Sequence, residues 1–280
     1  MPDSTTAGKK DYRIVAFDLD ETLIPPSRVI SERDRAAIRE ATARGVDCVI
    51  ATGRGYMTVQ GTLRDIGLWD TPDSYTLSYN GGIITENKGN RVLYQQGITW
   101  EQANALYTRG QRYDVCMHVY TQTEVYVWHI NDDERAYLDN RQDYIELDDA
   151  DLGRFRDEPI IKVLYEHNGY DYLRPIEAEV ADITADMEVS YSSGRYLEFN
   201  CQGVSKGASL LRLADILGVD PAATIAIGDN VNDLSMIRAA GLGVGVGNVD
   251  DQVRPYCDYV CERTCEDSAV AEVIERFVLS

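Results

Sequence analysis

At 280 residues, the chain is too long for one minimal domain and about right for two, and its 44% hydrophobic and 26% charged content exclude a fibrous or disordered chain. A formal net charge of −20 argues against nucleic acid or an anionic membrane as partner, since both select a basic face. No apolar run approaches the ~18–20 residues of a membrane-spanning helix, and the small, polar stretch Met1–Asp11 reads as neither secretory leader nor anchor, so a cytoplasmic location is expected.

The first element expected is a short buried strand, Arg13 to Phe17, that ends abruptly in Asp18-Leu19-Asp20-Glu21-Thr22. Ser31 is placed to cap a helix over 33–44, and Gly45 to end it. A strand follows over 46–51, closing on Thr52-Gly53-Arg54, then a helix over 56–66 and a third strand over 74–79, closing on Asn80-Gly81-Gly82. This β-α-β-α-β order predicts a doubly wound parallel sheet, with polar residues in every loop at a strand's carboxyl end.

After about residue 85 the rhythm changes. Period-two stretches at 115–120, 125–130, 160–165 and 187–199 alternate with helical patterns at 100–111, 133–143 and 170–183, which predicts an α+β module with antiparallel hairpins. Beyond Gly203 the α/β pattern resumes with a helix over 206–217, a strand over 224–227, a helix over 233–240, a strand over 242–246 and a helix over 268–277. The expected organisation is a Rossmann-like α/β core built from 1–84 and 195–280, interrupted by an inserted α+β module over 85–194.

Four polar signals sit at successive strand ends or helix starts. In a chain with 47 acidic residues a D-x-D pair arises by chance, as at Asp149 and Asp151; Asp18 and Asp20 differ in following an apolar strand at the ligand-binding end of an open sheet. There a carboxylate can act as nucleophile toward a phosphoryl group, and a second acid two residues on can serve as proton donor and acceptor. In Gly228-Asp229-Asn230-Val231-Asn232-Asp233 two carboxylates four residues apart can reach one hard cation, although acids also suit a helix N-terminus through its dipole. Thr52, Arg54 and Lys206 offer a hydroxyl and two cations suited to holding a phosphoryl group, though Thr-Gly-Arg and Ser-Lys-Gly are also ordinary turn chemistry. Six cysteines show no paired framework, and the spacing of Cys257, Cys261 and Cys265 matches no common zinc pattern.

Taken together and in order, Asp18-Leu-Asp-Glu-Thr22, Ala51-Thr-Gly-Arg54, Ser205-Lys-Gly207 and Gly228-Asp-Asn-Val-Asn-Asp233 resemble the four motifs of the haloacid dehalogenase superfamily, and their spacing is similar to that of its Cof-like branch. The insert resembles that branch's large C2 cap, and the likeness spans about 12–277. It implies a magnesium-dependent phosphatase (EC 3.1.3.-) acting on a small phosphorylated metabolite, such as a sugar phosphate, through an aspartyl phosphate.

Position by position, the resemblance implies Asp18 as nucleophile and magnesium ligand, and Asp20 as general acid and base that also meets the metal through its backbone carbonyl. It implies Thr52 and Lys206 as phosphoryl-binding residues within the catalytic set, and Asp229 and Asp233 as metal residues. Arg54, Asn80, Gly81 and Asn232 match positions lining the same pocket. Glu21 departs from the pattern, because many relatives carry glycine there.

His118, His129 and His167 read as structural or surface residues of the insert, the Tyr126-Val-Trp128 stretch as part of its hydrophobic faces, and Lys162 as a candidate substrate contact. Two alternatives keep the motifs but change the outcome. A phosphomutase similar to phosphomannomutases would return the phosphoryl group to a sugar, and a non-catalytic phosphometabolite-binding protein would keep only the fold. With a net charge of −20, any phosphate-binding reading requires local cations and a metal.

Overall fold

A computed structural model describes residues 11–139 and 141–280. Apart from Asp11, the Met1–Asp11 stretch lies outside the described residues; within them, no helix is long and apolar enough to cross a membrane.

In chain order the first run of elements is β1 (Ile14–Phe17), α1 (Glu32–Ala43), β2 (Asp47–Ala51), α2 (Gln60–Ile66), β3 (Tyr75–Ser78), β4 (Ile83–Glu86) and β5 (Arg91–Gln95). The insert contributes α3 (Trp100–Gly110), β6 (Cys116–Thr121), β7 (Val125–Trp128), α4 (Asp132–Leu138), β8 (Ile145–Leu147), β9 (Ile160–Glu166), α5 (Leu173–Glu179), α6 (Ala181–Thr184), β10 (Met187–Ser192) and β11 (Tyr196–Cys201). The chain closes with α7 (Lys206–Leu217), β12 (Thr224–Gly228), α8 (Leu234–Ala239), β13 (Leu242–Gly245), β14 (Tyr259–Val260) and α9 (Ala269–Ile274).

The first sheet has the order β14-β13-β12-β1-β2-β3-β4-β5, parallel from β14 through β3 and antiparallel in the β3-β4-β5 meander. From β1 the chain winds one way to β2 and β3; after the insert it winds the other way from β12 to β14. The point of reversal therefore lies between β1 and β12, where an open α/β sheet gathers a ligand beyond its carboxyl edge. Helices cover both faces. Val15, Phe17, Cys48, Ile50, Ile225 and Ile227 pack under α1, α2 and α9, while Ile14, Ala16, Val49, Ala51 and Ala226 pack under α7 and α8. That alternation explains why the strands read as continuous apolar runs: each is buried on both sides.

The second sheet has the order β10-β11-β9-β6-β7-β8, antiparallel except for β7 with β8. One face packs on α3, α5 and α6 through Leu106, Tyr107, Tyr165, Ile176 and Phe199. The other carries Tyr120, Val127, Ile161 and Leu164, which pack with Tyr56 and Tyr79 of the first sheet's loops and Ile83 of β4, and Tyr79 meets Tyr120 edge-on with centroids 5.7 Å apart.

The expected divisions at 84/85 and 194/195 both fall inside strand hairpins. β4 turns through Lys88–Asn90 into β5, which keeps the chain in the first sheet to Gln95, and β11 pairs with β9 and β10 in the second sheet to Cys201. The two crossings run side by side, Gln96 Nε2 donating to Gln202 O at 3.3 Å, and the first also meets the start of β9, where Ile98 N donates to Ile160 O at 3.0 Å. Glycine is required at 97, since a Cβ there would lie 2.1 Å from Ile160 O. The helical pattern over 170–183 resolves into two short helices, α5 and α6, and the 187–199 stretch folds back on itself at Ser193 and Gly194, both left-handed.

Candidate active site

Register levels the strand ends that carry the motifs. Phe17 pairs with Ile227 on one side and Ile50 on the other, so Asp18, the Gly228–Asp229 turn and the Ala51–Thr52 end leave the sheet side by side. Asp18 remains anchored, its N–H donating to Ile227 O at 3.0 Å. The loop beyond it turns at once: Glu21 adopts φ 60°, and Leu23 N and Ile24 N both donate to Leu19 O. Positive φ is the conformation glycine adopts without cost, and this chain holds a glutamate in it.

Lys206 opens α7 behind Ser205, whose Oγ accepts from Ala208 N at 3.1 Å. Its ammonium is fully buried and donates to Asp18 Oδ1 at 2.5 Å and Asp233 Oδ1 at 2.7 Å. Asp233 is fixed from its other oxygen, which accepts from Asp229 N at 3.0 Å and Asn230 N at 3.1 Å. Thr22 donates to Asp229 Oδ1 at 2.7 Å. Carboxylate oxygens of Asp18, Asp229 and Asp233 lie within 4.8 Å of one another, the one such grouping of metal-ligating side chains among the described residues.

This crowding has an electrostatic consequence. Burial first, and then the charges of Asp233 and Asp229, push the Asp18 carboxyl well above the usual carboxylate range against the pull of Lys206. Burial and Asp233 likewise raise Asp229 to about 7. Burial alone would lower the Lys206 ammonium, but Asp18 and Asp233 outweigh it and hold it above its ordinary value. Counting Asp20 and Arg54, four carboxylates face two cations. Such a site favours a divalent cation before it accepts a phosphate dianion. The donors fit magnesium, being hard oxygens: Lys206 occupies one oxygen of Asp18 and Thr22 one of Asp229, which leaves the second oxygen of each for a cation. Both oxygens of Asp233 are already engaged, which suits it to orienting the cluster.

Asp20 is on the same loop but points elsewhere. Arg54 grips it with both arms of its guanidinium, Nε donating to Oδ2 at 2.9 Å and Nη2 to Oδ1; the Asp20 side chain is 56% exposed. Thr52 is buried, and its Oγ1 accepts from Arg54 N at 3.1 Å while its carbonyl accepts from Asn80 N at 3.0 Å. Asn80 is left-handed at φ 53°, and its buried Oδ1 has no hydrogen-bond partner. Gly81, at φ 103°, lies so close to the start of α7 that a Cβ would sit 2.3 Å from Ser205 O. Asn232 is exposed in the turn before α8.

Sequence reasoning left out Thr22 and Asn248. Thr22 clamps Asp229, and Asn248 donates to Glu21 O at 2.8 Å, tying the loop after β13 to the loop after β1. The hydroxyl at Thr22 was visible inside the first motif; the Asn248 contact had no local signal. Lys162 is buried and donates to Glu198 Oε2 at 2.5 Å, with its ammonium 4.7 Å from the Tyr120 ring centroid. All three histidines stay in the insert: buried His118 beside Glu134 at 3.2 Å, His129 near Val115 O, and His167 stacked on Tyr172. Cys257, Cys261 and Cys265 are free thiols.

A family model described as haloacid dehalogenase-like hydrolase matches residues 15–274. Over 275 residues the chain is 29% identical to the 5-amino-6-(5-phospho-D-ribitylamino)uracil phosphatase YcsE of Bacillus subtilis, covering 96% of this chain and 97% of that protein. It is 28% identical over 266 residues to a phosphoglycolate phosphatase of Methanobrevibacter smithii, covering 95% and 98%. Among solved structures, a haloacid dehalogenase-like hydrolase from Bacteroides thetaiotaomicron superposes with a TM-score of 0.83 at 30% identity, over 95% of this chain and 99% of that one.

Proposed function

Since this chain belongs to the haloacid dehalogenase-like hydrolase family, in its Cof-like branch, and is a phosphoric monoester hydrolase, we propose that it is a magnesium-dependent phosphatase that cleaves a small phosphorylated metabolite through a phosphorylated Asp18. The observation that carries this reading is the buried cluster in which Lys206 bridges Asp18 and Asp233 beside Asp229, from positions up to 215 residues apart in sequence.

Asp18 attacks phosphorus in line with the departing alkoxide, and Asp20 gives that alkoxide its proton. The P–O bond to the alcohol breaks as the bond to the Asp18 carboxylate forms. Asp20, now ionised, takes a proton from water, whose oxygen attacks the acyl phosphate and returns Asp18 with free phosphate. Lys206 and Thr52 hold the phosphoryl oxygens, and Arg54 with Asn80 and Gly81 shapes the loops around them. Asp18, Asp229 and the Asp20 backbone carbonyl would hold magnesium, with Asp233 aligning them; when bound, the ion supplies Lewis-acid stabilisation of the phosphoryl charge. Asp20 reaches the alkoxide only by leaving Arg54, so the Arg54 contact describes a resting position of the acid. The insert lies over the loops carrying Arg54 and Asn80 and limits access to small substrates. Relatives acting on a phosphoribitylaminouracil and on phosphoglycolate support the small-metabolite class and show that the fold by itself does not choose the leaving group.

The test is magnesium-dependent release of inorganic phosphate from an aryl phosphate such as para-nitrophenyl phosphate. Asp18→Asn keeps the shape and removes the nucleophilic charge, and its rate should fall at least ~10³-fold. Retained turnover in that variant would overturn the assignment.

A further inference from the structure

The net charge of −20 is not absorbed by the catalytic reading, and its placement is unusual. Solubility alone asks for a charge of roughly 2–8 in a small domain, so even allowing for size this chain carries a large excess. The basic residues are equally skewed, with 5 lysines against 22 arginines. Lys9 and Lys10 lie outside the described residues, Lys162 and Lys206 are buried in ion pairs, and Lys88 is the one exposed lysine among the described residues. Many of the arginines are already committed to carboxylates, as in Arg33–Glu275, Arg39–Glu32, Arg109–Asp182 and Arg135–Glu146.

What remains outside is uncompensated carboxylate, and it is spread over both modules instead of forming one patch. Asp143, Asp148 and Asp157 are exposed on the insert, and Asp215, Glu262 and Asp267 on the other module. The stretch 132–158 alone holds 11 acids against 4 arginines. In dilute buffer these charges repel one another through a Debye length of about 10 Å at 0.1 M; at 1 M that length is about 3 Å and the repulsion is confined to neighbours in contact. Lysine scarcity points to the same solvent. A lysine at the surface exposes a long apolar stem, while arginine pairs its planar fork with carboxylates and is less strongly hydrated. A surface of short, hydrated carboxylates with arginine pairs and almost no lysine stems stays soluble where concentrated salt disfavours exposed apolar area.

We propose that this surface is built for water containing molar monovalent salt, whose hydrated cations screen it, and that the fold depends on that salt. A basic protein partner is the competing occupant; a surface waiting for one would leave the isolated chain stable in dilute buffer.

The experiment is thermal unfolding of the full chain in 0.1, 1 and 3 M KCl, for wild type and for Asp143→Lys/Asp148→Lys/Asp157→Lys, which changes the net charge from −20 to −14 at exposed positions outside the catalytic set. Wild type should melt at least ~15 °C higher at 3 M than at 0.1 M, and the triple variant should melt above wild type at 0.1 M with the gap closing at 3 M. A wild-type melting temperature that is flat or falls with KCl would overturn the proposal. So would a triple variant with the same salt response as wild type, because the salt would then be acting on something other than surface charge.

Discussion

Removing the Lys206 ammonium perturbs the centre of the site most directly. In Lys206→Met the side chain keeps the unbranched apolar stem but, one atom shorter, loses two charge-assisted hydrogen bonds, to Asp18 and Asp233, each contributing about 1.5–3 kcal/mol. It also leaves carboxylates within 4.8 Å of one another with no buried cation; at an effective dielectric constant of ~20 each such like-charge contact costs about 3 kcal/mol. Relaxation and proton uptake absorb part of this, and breaking a buried ion pair costs roughly 3–5 kcal/mol, the loss expected here. Urea unfolding at pH 7.5 measures it, and phosphate release from an aryl phosphate should fall by at least ~10³-fold in the same variant. Lys206→Arg, which keeps the charge but not the fit, should recover more than half of the stability and little of the activity. A Lys206→Met enzyme within ~1 kcal/mol of wild type and within tenfold of its rate would refute the idea that this lysine balances the carboxylates.

Asp20→Asn should slow hydrolysis of a sugar phosphate, whose alkoxide needs a proton, at least ~10-fold more than that of an aryl phosphate, and equal losses would remove Asp20 from its role as acid. Gly81→Ala places a Cβ 2.3 Å from Ser205 O at φ 103°, so it should lower stability by more than ~2 kcal/mol and impair phosphate release through the displaced start of α7, both read on the purified variant. Asp47 has its carboxyl raised to about 6, by burial first and by Asp73 against the pull of Arg13. A folded-state value above the unfolded one means the fold loses stability as pH rises from about 4 to about 6. Asp47→Asn should therefore stabilise the protein by ~1–2 kcal/mol at pH 7.5 and by almost nothing at pH 4, as urea titrations at the two pH values would show.

The elements legible from sequence are those whose ends carry their own chemistry. α7 spans the expected residues because Ser205 caps it and Gly218, left-handed at φ 67°, ends it. The strands leading to Asp18, Thr52 and Asp229 were readable because both of their faces are buried. The β4–β5 hairpin was not, because nothing local distinguishes a meander that extends the first sheet from a strand of the insert; that is decided by pairing with β3. β14, with two residues, is too short for any periodicity. At the site, the principal carboxylates and Lys206 sit immediately after apolar strands or at a helix start, and position alone marks them. Thr22 and Asn248 act through single contacts to residues far away in sequence, and Glu198 gave no sign that it would neutralise Lys162.

The acidic surface and the anion-binding site look incompatible only if one field governs both. They differ in screening. Asp20 and Arg54 are 56% and 21% exposed, so their attraction weakens as salt rises, and the acid is released more readily from its resting partner in the solvent proposed for this chain. Lys206, Asp18 and Asp233 are 0%, 6% and 0% exposed, so bulk monovalent salt screens their contacts far less. Concentrated salt thus suppresses the long-range repulsion that a phosphate dianion would meet on approach, while the short-range charges that receive it keep their strength. On this argument the net charge tells of the solvent, and the four carboxylates with their two cations tell of the chemistry.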